Sequence, residues 1–195
     1  MNIYQNDLYR EDVRWVAALP LPWEKLRDKH CMLSGATGMI GSFLVDVLLE
    51  KDRTQGLNCT VYALGRSEQR ARARFGELAQ DPHFVFIPYD VQRPLVREDL
   101  GRVEYILHLA SNTHPMQYST DPIGTVTTNI VGVMNLLDFA VEHHAARFAF
   151  AFAMTSRSLP LDSGFAPPSR TAMAISRPIL VNTAPRCASA LPFLA

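Results

Sequence analysis

The stretch Ser34-Gly35-Ala36-Thr37-Gly38-Met39-Ile40-Gly41 constrains this chain more than any other. A short apolar run, His30-Cys31-Met32-Leu33, precedes it and reads as a buried strand. Phe43-Leu44-Val45-Asp46-Val47-Leu48-Leu49 follows and reads as a helix. Strand, glycine turn and helix together are what a dinucleotide-binding loop requires. Glycine suits such a loop for three reasons. The turn needs backbone angles that side chains disfavour, the pyrophosphate must come close to the backbone, and the helix must pack tightly on its strand. The phosphates would then meet amide N–H groups at the positive end of the helix dipole. The spacing is Gly-x-x-Gly-x-x-Gly. Glycines alone also fit a turn that holds no ligand, so the flanking strand and helix periods carry the weight.

Residues 30 to 65 make the first strand–helix–strand unit. Ile40, Phe43, Leu44, Val47 and Leu48 recur at helical spacing and are expected to cover a sheet. Asp52 to Gly56 reads as a polar loop, and Cys59 to Leu64 as a second strand closed by Gly65. The end of that strand bears on cofactor choice. An acid there would bind the adenosine ribose hydroxyls, but this chain has Gly65-Arg66-Ser67. Arg66 can pair with a 2′-phosphate or stack on adenine. Arg70 and Arg74 continue from it at helical spacing. Arg70, Arg72 and Arg74 equally fit a solvated basic face.

His83 to Tyr89 reads as a third strand, closed by Asp90-Val91. Asp90 can accept a hydrogen bond from the adenine amino group or simply form a turn before Pro94. Val103 to Ala110 reads as a fourth strand, and its nearly unbroken apolar character fits a parallel strand covered on both faces. It ends in Ala110-Ser111-Asn112-Thr113, small and polar residues that would let a cofactor approach. His108 reads as a core histidine rather than a catalyst, and His114 in the following loop is left without a role.

Asp121-Pro122 is a helix start, with Asp121 as N-cap. Ile123, Val126, Ile130, Val133, Leu137 and Val141 then predict a long helix ending near His143 and His144. Asn129 sits early on it, facing either the cofactor cleft or solvent. Arg147 to Met154 reads as a fifth strand.

The bulk properties exclude several classes. With 48% hydrophobic residues in 195 the chain is not disordered, and a net charge of zero offers no basic field for nucleic acid. No uninterrupted apolar run reaches the length of a membrane span. The start, Met1 to Asp7, does not read as a signal peptide. Cys31, Cys59 and Cys187 have no metal-ligand spacing, Cys31 and Cys59 read as buried thiols, and a reducing cytoplasm is the expected location.

These motifs resemble the NAD-dependent epimerase/dehydratase family, the extended short-chain dehydrogenase/reductases that act on nucleotide sugars. The likeness rests on Gly35 to Gly41, Asp90-Val91, His108-Leu109-Ala110-Ser111 and Thr128 to Leu137, in that order and spacing. It covers residues 30–154. It implies an α/β fold, a doubly wound parallel sheet (Rossmann fold) with strands ordered 3-2-1-4-5. It implies NAD as cofactor, with Arg66 leaving NADP open, and a sugar that is transiently oxidised before epimerisation, dehydration or decarboxylation. The cofactor site it implies is Gly35, Thr37, Gly38, Met39, Ile40, Gly41, Arg66, Asp90, Val91, Leu109, Ala110, Ser111 and Asn129. A homodimer through the helix 122–144 is a further expectation.

The family's catalytic pair is a Tyr with a Lys four residues later, after the fifth strand. Here the last tyrosine is Tyr118, followed four residues on by Pro122, and the last lysine is Lys51. Thr155 or Ser156 can match a family Ser or Thr, but no pair follows. From Thr155 to Ala195 proline appears six times and Asp162 is the sole acid, a composition poor in packing periods. The expected organisation is therefore an N-terminal helical extension (1–29), an incomplete dinucleotide-binding domain (30–154) and an irregular tail (155–195), as from a reading frame lost near residues 149–156. Such a chain binds a dinucleotide and does no chemistry. Two alternatives remain: a non-catalytic dinucleotide-sensing or scaffold protein, and a short reductase using an unexpected acid/base such as His114.

Overall fold

The computed structural model describes residues 3–111, 120–151 and 179–181. Its centre is a sheet of β1 (His30–Ser34), β2 (Thr60–Gly65), β3 (Phe84–Pro88), β4 (Tyr105–His108), β5 (Arg147–Phe150) and β6 (Ile179–Val181), ordered β3-β2-β1-β4-β5-β6. The first five strands are parallel, in the expected order 3-2-1-4-5. Helices α1 (Asp7–Ala17), α2 (Met39–Gln55), α3 (Glu68–Phe75) and α4 (Pro122–Glu142) surround it.

Side chains alternate between two cores, as strand geometry requires. Met32, Tyr62, Leu64 and Ile106 point to the layer that holds Leu136, Phe139 and Ala140 of α4. Cys31, Leu33, Val61 and Ala63 point to the layer of α2 and α3, with Val45, Leu49, Ala71 and Phe75. Both faces are covered, which is why these strands read as apolar without a break.

Four expectations need correction. The row of α2 that meets the sheet is Val45 and Leu49, flanked by Leu44 and Leu48. Phe43 and Val47 turn instead to Val13 and Ala17 of α1, and Ile40 is exposed. The N-terminal extension adds a layer, so α2 buries two faces rather than one. Second, Asp52 to Gln55 is the last turn of α2 and not a loop; Asp52 is held there by accepting the Cys59 N–H at 2.8 Å. Gly56 ends the helix in the left-handed region.

Third, the tail is not wholly irregular. Ile179-Leu180-Val181 pairs antiparallel with Phe148 to Phe150. Two β-branched residues either side of a leucine complete the free ladder edge of β5. Fourth, β4 is shorter than the apolar run that announced it: Val103 and Glu104 precede it, and Leu109 and Ala110 leave the ladder to enter the site.

The Asp121 side chain accepts the Gly124 N–H at 2.8 Å and caps α4. The inward row of α4 is Thr125, Thr128, Gly132, Leu136, Phe139 and Ala140. The periodic residues that signalled the helix, Ile123, Val126, Ile130 and Val141, face outward together with Met134. By length and composition α4 could cross a membrane, with mean hydropathy 1.2, but its inner row is part of the domain core.

Candidate functional site

The strand order turns back between β1 and β4, and in such sheets ligands bind outside the carboxyl ends at that point. The glycine loop lies there. Gly35 has φ +67°, and a Cβ on it would stand 2.7 Å from the Ala110 nitrogen. A Cβ on Gly41 would stand 2.4 Å from the Gly35 carbonyl oxygen. The protein itself thus demands both glycines. Gly38 differs. It is exposed at φ −74°, and a Cβ there would meet one atom, Gly35 O at 3.2 Å. Its bare face looks outward, where a ligand would need the room. Gly38 also offers α2 no side-chain cap, so the first-turn amides of Met39, Ile40 and Gly41 have no capping side chain.

Ser34 joins the two strand ends beneath the loop. Its Oγ accepts N–H groups from Leu109 at 3.2 Å and Ala110 at 3.3 Å, and contacts His108 Nδ1 at 2.5 Å. Two amides occupy the hydroxyl lone pairs, so its proton goes to Nδ1 and His108 is the Nε2–H tautomer. His108 is 2% exposed, and its Nε2 has no hydrogen-bond partner among the described residues. Burial pulls its pKa down to about 4. This is a neutral core histidine, as expected.

Beyond the loop, Ser111 Oγ donates to Asn129 Oδ1 at 2.9 Å, bringing those two expected residues together. Asp90 takes the turn geometry: its Oδ1 accepts the Gln92 N–H at 3.1 Å and its carbonyl accepts the Arg93 N–H at 3.0 Å. Val91 is buried, and its carbonyl accepts from Asn135 Nδ2 at 2.8 Å. Gly132 allows this approach, since a Cβ there would stand 3.0 Å from Val91 Cγ2. Gln92 Nε2 donates to Thr128 Oγ1 at 2.7 Å. The segment after β3 is therefore fastened to α4 by Gln92, Thr128 and Asn135. None of these was expected at the site, although Thr128 and Asn135 belong to the helix motif that signalled the family.

Arg66 leaves the end of β2 and is exposed. Gly65, just before it, abuts the loop: a Cβ there would stand 3.3 Å from Thr37 Cγ2. No hydrogen bond joins Arg66 or Asp90 to the other expected site residues.

The arginines of α3 divide. Arg70 and Arg72 are exposed, with Arg72 3.3 Å from Glu68. Arg74 belongs to neither a basic face nor the cofactor series. It is ion-paired with buried Asp46 of α2, and donates to Tyr4 Oη at 2.7 Å and Tyr9 Oη at 2.5 Å. Tyr4 and Tyr9 themselves donate to Asp46. Burial first, and the Asp46 charge next to it, push both phenols well above their usual pKa. The sequence signal was an acid inside the apolar run Leu44 to Leu49. Beside this cluster a cavity of about 320 Å³ opens between α1 and α2. Arg14 and Glu50 on its wall stand 3.9 Å apart, and it lies away from the strand ends.

Cys31 and Cys59 are both buried, with Sγ atoms 3.6 Å apart, and their mutual hydrogen bond and burial push the Cys31 thiol well up. His114, Tyr118, Thr155, Ser156, Cys187 and the rest of the tail apart from β6 lie outside the described residues.

Known proteins share this arrangement. The chain is 35% identical over 127 residues to UDP-glucuronic acid decarboxylase 5 of Arabidopsis thaliana, a match covering 62% of this chain and 35% of the relative. It is 30% identical over 120 residues to a dTDP-glucose 4,6-dehydratase of Streptomyces antibioticus, covering 61% and 36%. Among solved structures, the DesIV dTDP-glucose 4,6-dehydratase of Streptomyces venezuelae, solved with NAD bound, superposes with a TM-score of 0.53 at 26% identity, over 60% of this chain and 37% of that one. The chain spans about a third of the length of the curated relatives it matches. The NAD dependent epimerase/dehydratase model matches residues 31–172. That span holds the glycine loop, the Ser34 crossing and the α4 motif in one continuous stretch, and the chain belongs to the NAD dependent epimerase/dehydratase family.

Proposed function

We propose that this chain binds NAD or NADP across the carboxyl ends of β1 and β4, as the dinucleotide-binding portion of a nucleotide-sugar epimerase, dehydratase or decarboxylase. The observation that carries this reading is Gly38, whose bare outward face sits on the uncapped start of α2. Gly35 and Gly41 shape the loop, the Gly38 N–H is given to the Gly35 carbonyl, and the amides of Thr37, Met39, Ile40 and Gly41 would hold the pyrophosphate. Arg66 would meet the adenosine ribose. Asp90 and Val91 would border the adenine, with one Asp90 oxygen committed to its own turn. Leu109, Ala110, Ser111 and Asn129 would line the nicotinamide side. When bound, the dinucleotide would accept hydride from a sugar carbon and return it.

The 195-residue chain by itself is expected to catalyse nothing. Hydride transfer from a hydroxyl-bearing carbon needs a group in reach to take the hydroxyl proton. No tyrosine follows Tyr118 and no lysine follows Lys51, and the one buried histidine near the site among the described residues, His108, already accepts from Ser34 at Nδ1. The reading also includes a cytoplasmic location, no nucleic-acid or membrane partner, and a homodimer through the exposed apolar residues of α4.

The test is calorimetric titration of the purified chain and of Gly38→Val with NAD and NADP, with circular dichroism alongside. Wild type is expected to bind, and the variant to fold but not bind. Equal affinity in a folded Gly38→Val would refute the site. A panel of UDP-, GDP-, CDP- and dTDP-sugars with either dinucleotide is expected to give no product by mass spectrometry. A non-catalytic dinucleotide-sensing protein is the second reading. The pairing of β6 with β5 favours it, because an ordered strand in the tail is not what a random run of residues would supply.

A further inference from the structure

Cys31 and Cys59 take no part in the site at the carboxyl ends of the strands. Cys31 lies in β1, in register with Val61 of β2, and Cys59 immediately precedes β2. Two positions separate Cys59 from that register partner, so both cysteines face the same side of the sheet. Their side chains enter the layer of α2 and α3, at 5% and 1% exposure. The Sγ atoms are 3.6 Å apart. A bond between them needs about 2 Å, and two rotatable side chains share the difference. The turns in front of the two cysteines are tied to each other at the surface. Asp28 (φ 55°) and Asn58 (φ 56°) are exposed and both take the left-handed region, which residues other than glycine enter at a cost. Asn58 Nδ2 donates to Asp28 Oδ1 at 2.8 Å, and the Asp28 N–H donates to the Leu57 carbonyl at 2.9 Å. Opening of this strained surface turn admits a small oxidant without unfolding the sheet. The hydrogen bond with Cys59, and then burial, hold the Cys31 thiol well up, so thiolate forms when the turn opens.

We propose that Cys31 and Cys59 are a redox-responsive dithiol, which a hydroperoxide converts to a disulfide joining the starts of β1 and β2. The thiolate of one cysteine attacks a peroxide oxygen. An S–O bond forms, the O–O bond breaks, and the other oxygen leaves as water once protonated. The second thiol then attacks the sulfenic sulfur. The S–S bond forms, the S–O bond breaks, and a second water leaves. Two thiols thus give up two electrons and two protons, and one hydrogen peroxide becomes two waters. A partner thiol 3.6 Å away intercepts the sulfenic acid before further oxidation. The cross-link spans 28 positions and encloses the glycine loop and all of α2. It restricts the unfolded chain and so stabilises the fold. In a reducing compartment the pair rests as two thiols. The proposal stands apart from the dinucleotide site.

The experiment treats the full 195-residue chain with hydrogen peroxide, as wild type and as Cys187→Ser, then denatures it in the presence of an alkylating agent. Trypsin cuts after Lys29, Lys51, Arg53 and Arg66, so the disulfide is read as residues 30–51 joined to residues 54–66. Both proteins are expected to yield that linked peptide. Cys187→Ser is expected to lose two hydrogens in intact mass and to regain them with dithiothreitol. Its urea midpoint is expected to rise by about 1 M or more on oxidation. Cys31→Ala and Cys59→Ala are each expected to abolish the linked peptide and to leave the remaining thiol to gain oxygen. Should either variant fail to fold, the peptide map of Cys187→Ser carries the decision. Two thiols still open to alkylation after peroxide overturn the proposal. So does oxygen added to Cys31 or Cys59 without the linked peptide, or a link from either of them to Cys187 in its place. An oxidised chain less stable to urea than the reduced one also overturns it, since the native fold then does not accommodate the bond.

Discussion

His108 makes stability depend on pH in a way that can be calculated. It is buried and neutral, with a pKa of about 4 in the fold, against roughly 6.5 in an unfolded chain. Between those values the unfolded chain binds more protons than the native one, so stability rises with pH and is lost as pH falls. The full difference of about 2.5 pH units corresponds to roughly 3 kcal/mol, nearly all of it lost between pH 6.5 and 4. Protonation also has a structural cost. A proton on Nδ1 would face Ser34 Oγ, whose lone pairs already serve the Leu109 and Ala110 amides. The strand ends beneath the glycine loop would have to separate.

The perturbation is His108→Leu, compared with wild type by urea unfolding at half-unit steps from pH 7 to pH 4.5, followed by Trp fluorescence and far-ultraviolet circular dichroism. The variant pays a constant cost for the stranded Ser34 hydroxyl, on the order of 1–3 kcal/mol, and has no titrating imidazole. Other groups titrate in both proteins and cancel in the difference if they are not coupled to His108. The stability gap between the two is expected to shrink by about 2.5 kcal/mol from pH 7 to pH 4.5. A gap that stays constant across that range would refute the assignment of His108 as a buried neutral group.

Three further outcomes are expected. Gly35→Ala, which meets both φ +67° and the Ala110 backbone at 2.7 Å, should cost well over the roughly 1–2 kcal/mol of left-handed strain alone. Gly56→Ala, at φ +57° with nothing within 4 Å, should cost only that strain, so equal losses in urea unfolding would contradict the packing of the loop on β4. Arg74→Ala leaves Asp46 buried without its cation and should destabilise by about 3 kcal/mol, while hydrogen exchange in residues 3–17 should quicken; unchanged exchange there would show that the cluster does not hold the N-terminal extension. Ile130→Asp, on the outer face of α4 at 57% exposure, should convert a dimer to a monomer by light scattering, and a monomeric wild type would dismiss the homodimer.

Much of the fold was legible because local rules and global packing agree. Unbroken apolar runs marked β1, β2 and β4, since a parallel sheet is covered on both sides. Asp121-Pro122 marked the start of α4 because an Asx cap and a proline both suit a first helical turn. The phase of α2 was not legible. Apolar residues lie on several of its faces, and the presence of α1 decides which face meets the sheet. The same holds for α4, whose most regular apolar row faces outward while Gly132, Leu136 and Phe139 go in.

At the candidate site, the sequence by itself determined the parts: the glycine spacing, the missing acid after β2, and the absence of a Tyr and Lys pair in the last third of the chain. These are matters of residue type, read without coordinates. The tertiary structure alone decided how the parts are used. It separated Gly38 from Gly35 and Gly41, because only a neighbouring strand end reveals which glycine the protein itself needs. It took Arg74 out of the basic series by placing Asp46, Tyr4 and Tyr9 around it. It put Ser34 under His108, Leu109 and Ala110, more than seventy residues away along the chain. Long-range hydrogen bonds and ion pairs of this kind follow from the register of distant strands and the packing of distant helices, and no local period in the sequence encodes them.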